Sequence, residues 1–259
     1  MTTATLLETR AVSRRFGSFT AVDQVTFGIR QGEAVGVIGP NGAGKTTFFN
    51  LLTGLFPPTG GQILFDGADI TRTAPQARVL RGIVRTFQLV SVFDSLPVLA
   101  NLVLAQLRFR KKEAGALRFF FSPFQQPVVV AACMESLEMM GIAHKAQVMT
   151  SQLSYGEKRK LEIAIALSLK PKLLLLDEPF AGLSDAEITE VLQLIHRVKA
   201  DRSLVIIEHK ISRIVDLVDR LCVMHEGQLI AEGRPGDVLC DPRVREVYWG
   251  KEEGLKCSV

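Results

Sequence analysis

The chain has 259 residues, of which 47% are hydrophobic and 22% charged, so it can bury a large core and is not disordered in composition. Its formal net charge is only +4 and its basic residues are scattered, which argues against a nucleic-acid partner. Its four cysteines form no Cys-x-x-Cys pair, which argues against a zinc site and favours a reducing, cytosolic compartment. We expect no signal peptide and no membrane span, so the chain would reach a membrane only through a partner.

The first third of the chain predicts a small β-rich subdomain. Residues 6–12 predict an edge strand, and residues 21–29 predict a second strand with Val22, Val25 and Phe27 facing inward. Residues 54–61 are rich in Pro and Gly and stop a helix, and residues 62–67 predict a hairpin strand with its turn. From residue 98 to 165 the apolar spacing is mostly helical. There, the aromatic cluster 117–124 is interpreted as core packing rather than a surface hairpin or docking patch.

Residues 39–46 read Gly-Pro-Asn-Gly-Ala-Gly-Lys-Thr and separate an apolar strand-like run from a helix-like run. This is the phosphate-loop pattern in the strand–loop–helix setting that it requires. The glycines let successive N–H groups wrap an anion beside a helix N-terminus. Lys45 can reach the β- and γ-phosphates, and Thr46 can offer its hydroxyl to Mg²⁺. A plain Gly-rich turn is the alternative, and the loop alone does not say how a nucleotide is used.

In the second half, strands alternate with helices, which predicts a parallel sheet. Residues 173–176 are four leucines that predict a buried strand ending in Asp177 and Glu178, and residues 203–208 predict another ending at His209. We predict helices over 185–200 and 211–218, and two more strands over 221–224 and 228–233. Ligands of such sheets lie at the carboxyl ends of the strands, where the two acids and the histidine fall.

The chemistry of these acids suits nucleotide hydrolysis. Asp177 is a carboxylate held at a strand end, as a Mg²⁺ partner requires, and Glu178 can orient or deprotonate an attacking water. A solvated turn is the alternative, but an acid at a buried strand end needs a cation or hydrogen-bond donors. Ser154 and Gly156 precede a helix and form a cap-like turn that can bind an anion, although a plain helix cap would look the same.

Taken together and in this order, the motifs resemble those of the ATP-binding cassette (ABC) ATPases over nearly the whole chain. The resemblance implies an α/β phosphate-loop NTPase fold, with a parallel-sheet core, an antiparallel β subdomain and a helical subdomain. It implies one domain over 1–259. The core and β subdomain would span about 1–84 and 166–240, the helical subdomain about 85–165, and a C-terminal tail about 241–259.

The same resemblance implies a site for ATP and Mg²⁺ that two cassettes share. Phe16 would stack on adenine, Glu178 would be the catalytic base, and His209 would hold the γ-phosphate. Ser154 and Gly156 would contact the ATP of the other cassette. The residues implied around the phosphates are Gly39, Asn41, Gly42, Gly44, Lys45, Thr46 and Thr47. Those implied at Mg²⁺ are Thr46, Gln88 and Asp177, with Gln88 also signalling to the membrane subunit.

The chain departs from the family pattern at the segments that face a second cassette. Tyr155 and Glu157 replace a glycine and a glutamine of the signature segment, and Ser184 stands where an aspartate is usual, with Asp185 one place later. The shift of the aspartate to position 185 puts the usual aspartate contact between subunits in doubt. Phe16 replaces a more common tyrosine and keeps a stacking face.

Within the family, residues 39–50, 85–88, 178–183, 207–209 and 241–250 resemble the branched-chain (hydrophobic) amino-acid uptake group. The resemblance predicts an ATP-hydrolysing subunit at the cytoplasmic face of the inner membrane. Its predicted partners are permease subunits, an identical or different second cassette, and a periplasmic substrate-binding protein, but not nucleic acid. Urea or short-amide uptake and lipopolysaccharide export are alternatives. Two other classes of function are less favoured. A soluble cassette ATPase of DNA repair or translation usually has tandem cassettes or long coiled-coil insertions, and this sequence shows neither. A nucleotide-binding regulator without turnover does not need Glu178.

Overall fold

The computed structural model describes residues 4–87, 90–114, 127–209 and 211–249. The strands are β1 Thr5–Phe16, β2 Phe19–Arg30, β3 Ala34–Ile38, β4 Gly60–Phe65, β5 Ala68–Asp69, β6 Ile83–Arg85, β7 Leu173–Asp177, β8 Ser203–Ile207, β9 Arg220–His225 and β10 Gln228–Gly233. The helices are α1 Lys45–Thr53, α2 Pro75–Arg81, α3 Val98–Ala114, α4 Pro127–Met139, α5 Tyr155–Ser168, α6 Asp185–Lys199, α7 Pro235–Leu239 and α8 Pro242–Trp249.

A six-stranded sheet in the order β10-β9-β3-β8-β7-β6 forms the centre of the fold, and its strands are parallel except for β10. Every residue of β3, β7 and β8 is buried, which explains why these strands are continuous apolar runs. Along β7, Leu174 and Leu176 face one core cluster, and Leu173 and Leu175 face the other. The predicted parallel sheet is confirmed, so the ends of β3, β7 and β8 meet at one edge.

The four-stranded sheet, in the order β2-β1-β4-β5, is antiparallel. The prediction of β1 as an edge strand is wrong, because β1 pairs with β2 on one side and β4 on the other. Alternation along one strand does not tell how many partners it has. Irregularities in the β1–β2 register allow Val22, Val25 and Phe27 all to be buried despite their uneven spacing.

Helices cover most of the region predicted to be helical, and α4 packs against both α3 and α5. None of the helices in the described ranges is long and apolar enough to cross a bilayer. The sequence did not predict α2, a short helix whose buried Arg78 donates hydrogen bonds to the carbonyls of Leu51 and Leu52 at the end of α1. The aromatic cluster 117–124 lies outside the described residues.

The predicted helix over 211–218 is wrong in extent. The structure has one 3-10 turn, Ile211–Arg213, followed by further turns. Ile214, Leu217 and Val218 are nevertheless buried in the core. The apolar spacing therefore indicated correctly which side chains are buried. The hydrogen bonds alternate between three-residue and four-residue spans, which a regular α-helix does not do.

Candidate functional site

The loop between β3 and α1 has a backbone that only glycine permits at its last turn. Gly44 precedes the first residue of α1 with φ 95°, and a Cβ atom there would lie 2.3 Å from the carbonyl oxygen of Ala21. Because Gly44 has no side chain to cap α1, the N–H groups at the start of the helix keep their capacity to bind an anion. Asn41, Gly42 and Thr46 are exposed, and Thr47 is half-buried.

Lys45 lies inside the loop with only 5% of its surface exposed. Its Nζ donates hydrogen bonds to the carbonyl oxygens of Gly39 (2.7 Å) and Pro40 (2.9 Å). Burial lowers the pKa of the Lys45 ammonium, while the nearby carboxylates of Glu178 and Asp177 act in the opposite direction. An ammonium has three protons, so the loop holds the lysine in place with two and leaves donor capacity for a phosphate oxygen.

The structure brings Glu178 and His209 together, as the sequence predicted for neighbouring strand ends. His209 Nε2 lies 2.5 Å from Glu178 Oε1. Glu178 follows directly on β7 and has φ 47°, a strained conformation for a residue with a side chain, and its N–H donates to the carbonyl of Ile207. A carboxylate fixed in this way can accept a proton from a water at the sheet edge.

Glu208 supports this pair, although no role for it was predicted from the sequence. Its carboxylate accepts hydrogen bonds from the backbone N–H groups of Phe180 (3.1 Å) and His209 (3.2 Å). Burial raises the pKa of Glu208, since charging a carboxylate away from water is costly. Glu208 therefore ties the turn after Glu178 to the backbone of His209. The signal was present in the sequence as an acid at the end of an otherwise apolar strand.

Asp177 is buried at the end of β7, and its Oδ2 accepts a 2.5 Å hydrogen bond from Arg85 Nη2. The described residues contain no group of three or more histidine, cysteine or acidic side chains that could hold a metal ion. Magnesium at a nucleotide takes one or two protein oxygens and completes its shell with phosphate and water. The Thr46 hydroxyl and the Asp177 carboxylate have the chemistry that this arrangement needs. Gln88 lies outside the described residues.

Ser154 caps α5 through a reciprocal pair of hydrogen bonds. Its Oγ accepts from the Glu157 N–H (3.2 Å), and the Glu157 carboxylate accepts from the Ser154 N–H (2.9 Å). Glu157 also forms an ion pair with Lys145. Glu157, which departs from the family pattern, therefore stabilises the cap. The Ser154 hydroxyl oxygen is the acceptor in this cap, so its proton can still be donated to a ligand.

The other residues around the start of α5 contact α6 and the loop before it. A Cβ atom on Gly156 would lie 2.4 Å from Glu187 Oε1, and one on Gly182 would lie 3.0 Å from the Tyr155 ring. Hydrogen bonds from Ser184, and a weaker one from the Gly156 N–H, lower the pKa of Glu187. Within this chain, Gly156 thus adjoins the first turn of α6, and Tyr155 adjoins the loop before it.

The loop before α6 accounts for the second family departure. Ser184 is the N-cap of α6 and accepts a hydrogen bond from the Glu187 N–H. Asp185 is the first residue of the helix, with a fully exposed side chain. The serine is therefore a helix cap, and the aspartate points to solvent, where a second molecule could contact it.

Phe16 lies at the end of β1 with 41% of its surface exposed. Its ring packs edge-to-face on Phe56, with centroids 5.6 Å apart, and the Arg14 guanidinium lies 4.7 Å from the ring centroid. These neighbours hold the ring in place while leaving part of it accessible to an adenine.

An ion pair within α5, between Arg159 and Glu162, binds the backbone of Phe87. Arg159 is fully buried, and its Nη1 donates to Glu162 Oε2 (2.7 Å) and to the Phe87 carbonyl (2.8 Å). Glu162 Oε1 accepts from the Phe87 N–H (3.0 Å), and burial raises the pKa of Glu162. The sequence did not predict this cluster. Its only signal was two charged residues at positions where α5 faces the core.

Comparison with known proteins agrees with this geometry. Residues 22–181 match the family model of the ABC transporter, and residues 228–253 match a model described as branched-chain amino acid ATP-binding cassette transporter. The chain is 36% identical over 250 residues to the high-affinity branched-chain amino acid transport ATP-binding protein LivG of Salmonella typhimurium, covering 95% of this chain and 98% of that protein. It is 34% identical to BraF of Pseudomonas aeruginosa, with the same coverage.

Solved structures are also similar. The ADP conformation of an ATP-binding cassette of an ABC transporter matches with a TM-score of 0.85 and 32% identity, over 96% of this chain and all of that chain. The cbiO1 protein of Clostridium perfringens, part of an ABC transporter complex, matches with a TM-score of 0.77 and 26% identity, over 95% of this chain and 96% of that one. The chain belongs to the ABC transporter family, as an ATP-binding subunit whose ATP hydrolysis is coupled to transport.

Proposed function

We propose that this chain energises the uptake of branched-chain or other hydrophobic amino acids. The observation that carries the proposal is the match of residues 228–253 to the branched-chain amino acid cassette model. These residues include α8, which packs on β10 and buries Val244 completely. The described part of the matched segment, up to residue 249, is thus packed on the cassette. Membrane permeases would hold the chain at the cytoplasmic face, with a periplasmic protein delivering the substrate.

The proposed catalytic step places a water between Glu178 and the γ-phosphate of ATP. Glu178 accepts the proton of the attacking water, and His209, held against Glu178 Oε1, contacts the γ-phosphate. Lys45 and backbone N–H groups of the loop over residues 41–47 bind the phosphates, and Phe16 stacks on adenine. Mg²⁺, held by Thr46, Asp177 and Gln88, would supply charge neutralisation on the phosphate oxygens.

We further propose that ATP binding closes a pair of cassettes. Ser154 caps α5, Gly156 adjoins α6 in its own chain, and both residues would contact the ATP held by the phosphate loop of a second chain. The nucleotide then bridges both molecules, and phosphate release reopens them.

A mixture of Ser154→Arg and Lys45→Ala chains tests this arrangement. Each variant damages a different half of the composite site, so a mixed pair keeps at most one working site. Turnover in the mixture from two sites per pair would contradict it.

A half-open apolar groove of about 280 Å³ between α2, β6 and α5 is the proposed docking place for a permease helix. It is lined by Leu55, Val79, Phe87, Ile165 and Leu169 among others, and Leu55 and Phe87 are about half exposed. An amphipathic helix in an apolar groove is a common recognition mode. Leu55→Asp should abolish co-purification with the membrane subunits while leaving ATP binding intact.

Uptake assays test the proposed substrate class. Cells lacking this chain should lose ATP-dependent uptake of labelled leucine, and the intact chain should restore it whereas Glu178→Gln should not. Uptake of labelled urea and of labelled short amides is measured in the same cells, since these are the substrates of the alternative function. Uptake of urea, but not leucine, upon restoration would favour the alternative and overturn the amino-acid proposal.

A further inference from the structure

Arg85 joins three elements of the site and belongs to none of the roles assigned above. It is the last residue of β6, and its side chain is only 6% exposed. Its Nη1 donates to Asn50 Oδ1 on α1 (2.6 Å), and its Nη2 donates to Asp177 Oδ2 at the end of β7 (2.5 Å). The rings of Phe49 and Phe87 lie 5.5 and 5.4 Å from the guanidinium carbon, so the planar group is held from several directions.

This arrangement fixes the buried carboxylate of Asp177 through one of its two oxygens. The guanidinium donates one hydrogen bond to Asn50 and one to Asp177. It therefore binds Oδ2 of the Asp177 carboxylate and does not form a bidentate pair with both oxygens. The Asp177 backbone is fixed as well, since its N–H donates to Thr86 Oγ1 (3.4 Å). A carboxylate held through its backbone and through one oxygen presents the other oxygen in a fixed direction.

We propose that Arg85 is a positioning residue that orients Asp177 toward Mg²⁺ and keeps it aligned with α1, the helix that begins at Lys45. The inference rests on the proposed role of Asp177 at the metal. Hydrogen-bond partners of metal-binding carboxylates typically change metal affinity by about 10- to 100-fold when removed. Arginine suits this role because its rigid fork reaches two acceptors at once, whereas a lysine ammonium is a compact charge without that geometry.

The test is the affinity for ATP measured with Mg²⁺ and with EDTA, so the readout is binding and not turnover. Arg85→Met should leave affinity in EDTA within about twofold and reduce the enhancement by Mg²⁺ by about 10-fold. Arg85→Lys should restore only part of that enhancement, because a single ammonium cannot reproduce the fork.

A second variant loosens Arg85 without removing its charge. Asn50→Ala deletes the anchor on α1 and should lower the Mg²⁺ enhancement by a smaller factor than Arg85→Met. The matched control is Arg220→Met, because Arg220 is also a largely buried arginine paired with acids, Glu33 and Glu232, but at the opposite edge of the sheet. The control should bind ATP with unchanged Mg²⁺ enhancement.

Asp177→Asn separates the two levels of the inference. If Asp177→Asn keeps the full Mg²⁺ enhancement, the proposed metal role of Asp177 fails. If Asp177→Asn loses it while Arg85→Met and Asn50→Ala both keep it, only the role of Arg85 is overturned. If Arg85→Met loses ATP affinity equally with Mg²⁺ and with EDTA, the role of Arg85 is only structural. If Arg85→Met instead shows a stronger Mg²⁺ enhancement, the arginine competes with Mg²⁺ for the Asp177 carboxylate. Either result contradicts the proposal.

Discussion

The buried pair Arg159–Glu162 should dominate the stability of the contact between α5 and the Phe87 backbone. The Arg159 side chain is completely buried and that of Glu162 is 8% exposed. Replacing Arg159 by Met leaves a buried carboxylate without its cation and a Phe87 carbonyl without its donor. Breaking one partner of a buried ion pair costs about 3–5 kcal/mol. Glu162→Met should cost a similar amount, because it leaves the buried guanidinium without its carboxylate and the Phe87 N–H without its acceptor.

The double variant should be much less destabilised than the sum of the two single changes. Replacing both charges by apolar side chains removes the unpaired charge and leaves mainly the two backbone groups of Phe87 without partners, at about 1–3 kcal/mol each if buried. Phe87 is 45% exposed, so water can reach part of this backbone and the cost falls toward the lower end. We expect about 2–4 kcal/mol for the double variant, against about 6–10 kcal/mol for the sum.

Urea unfolding of the wild type, both single variants and the double variant measures this coupling directly. Double-mutant cycles isolate the pairwise interaction from each side chain's separate contacts. If the costs of the two single changes simply add in the double variant, Arg159 and Glu162 do not act as a unit. The joint binding of the Phe87 backbone by this ion pair would then be wrong.

Two further predictions concern residues at the sheet edge. Because burial raises the native pKa of Glu208, its contribution to stability is present below the unfolded-state pKa and is lost as pH rises through the native pKa. The unfolding free energy of Glu208→Gln relative to wild type should therefore increase as pH rises from about 4, the usual pKa of a glutamate, through the raised native pKa; a constant difference would contradict the raised pKa. Gly44→Ala should weaken ATP binding and lower the unfolding midpoint, since its Cβ would lie 2.3 Å from the Ala21 carbonyl oxygen. Gly17→Ala is the control, because Gly17 also has a positive φ but has open space around it.

The sequence predicted the elements whose signal is local. The apolar runs of β3, β7 and β8 are long, uninterrupted and bounded by turn residues, so both their existence and their burial could be read directly. The placement of Glu178 beside His209 also followed, because parallel strands end at one edge.

What the sequence did not predict depends on contacts between distant residues. Arg85 and Asp177 are 92 positions apart, and Arg159 meets Phe87 across 72 positions, so neither contact follows from spacing along the chain. The second partner of β1 is another such case, since β4 arrives after the whole of α1. At 211–218 the apolar spacing matched a helix, but a series of turns buries the same side chains.

The behaviour of Glu178→Gln in purified protein is the most direct test of the proposed hydrolysis mechanism and shared site. This change keeps the size of the side chain and removes the carboxylate that is proposed to accept the proton of water. Glu178→Gln should show almost no ATP turnover and retain ATP binding. It should also form an ATP-dependent pair of chains that persists because the nucleotide bridging them is not hydrolysed. Undiminished turnover would contradict Glu178 as the base, and a chain that stays monomeric with bound ATP would contradict the shared site.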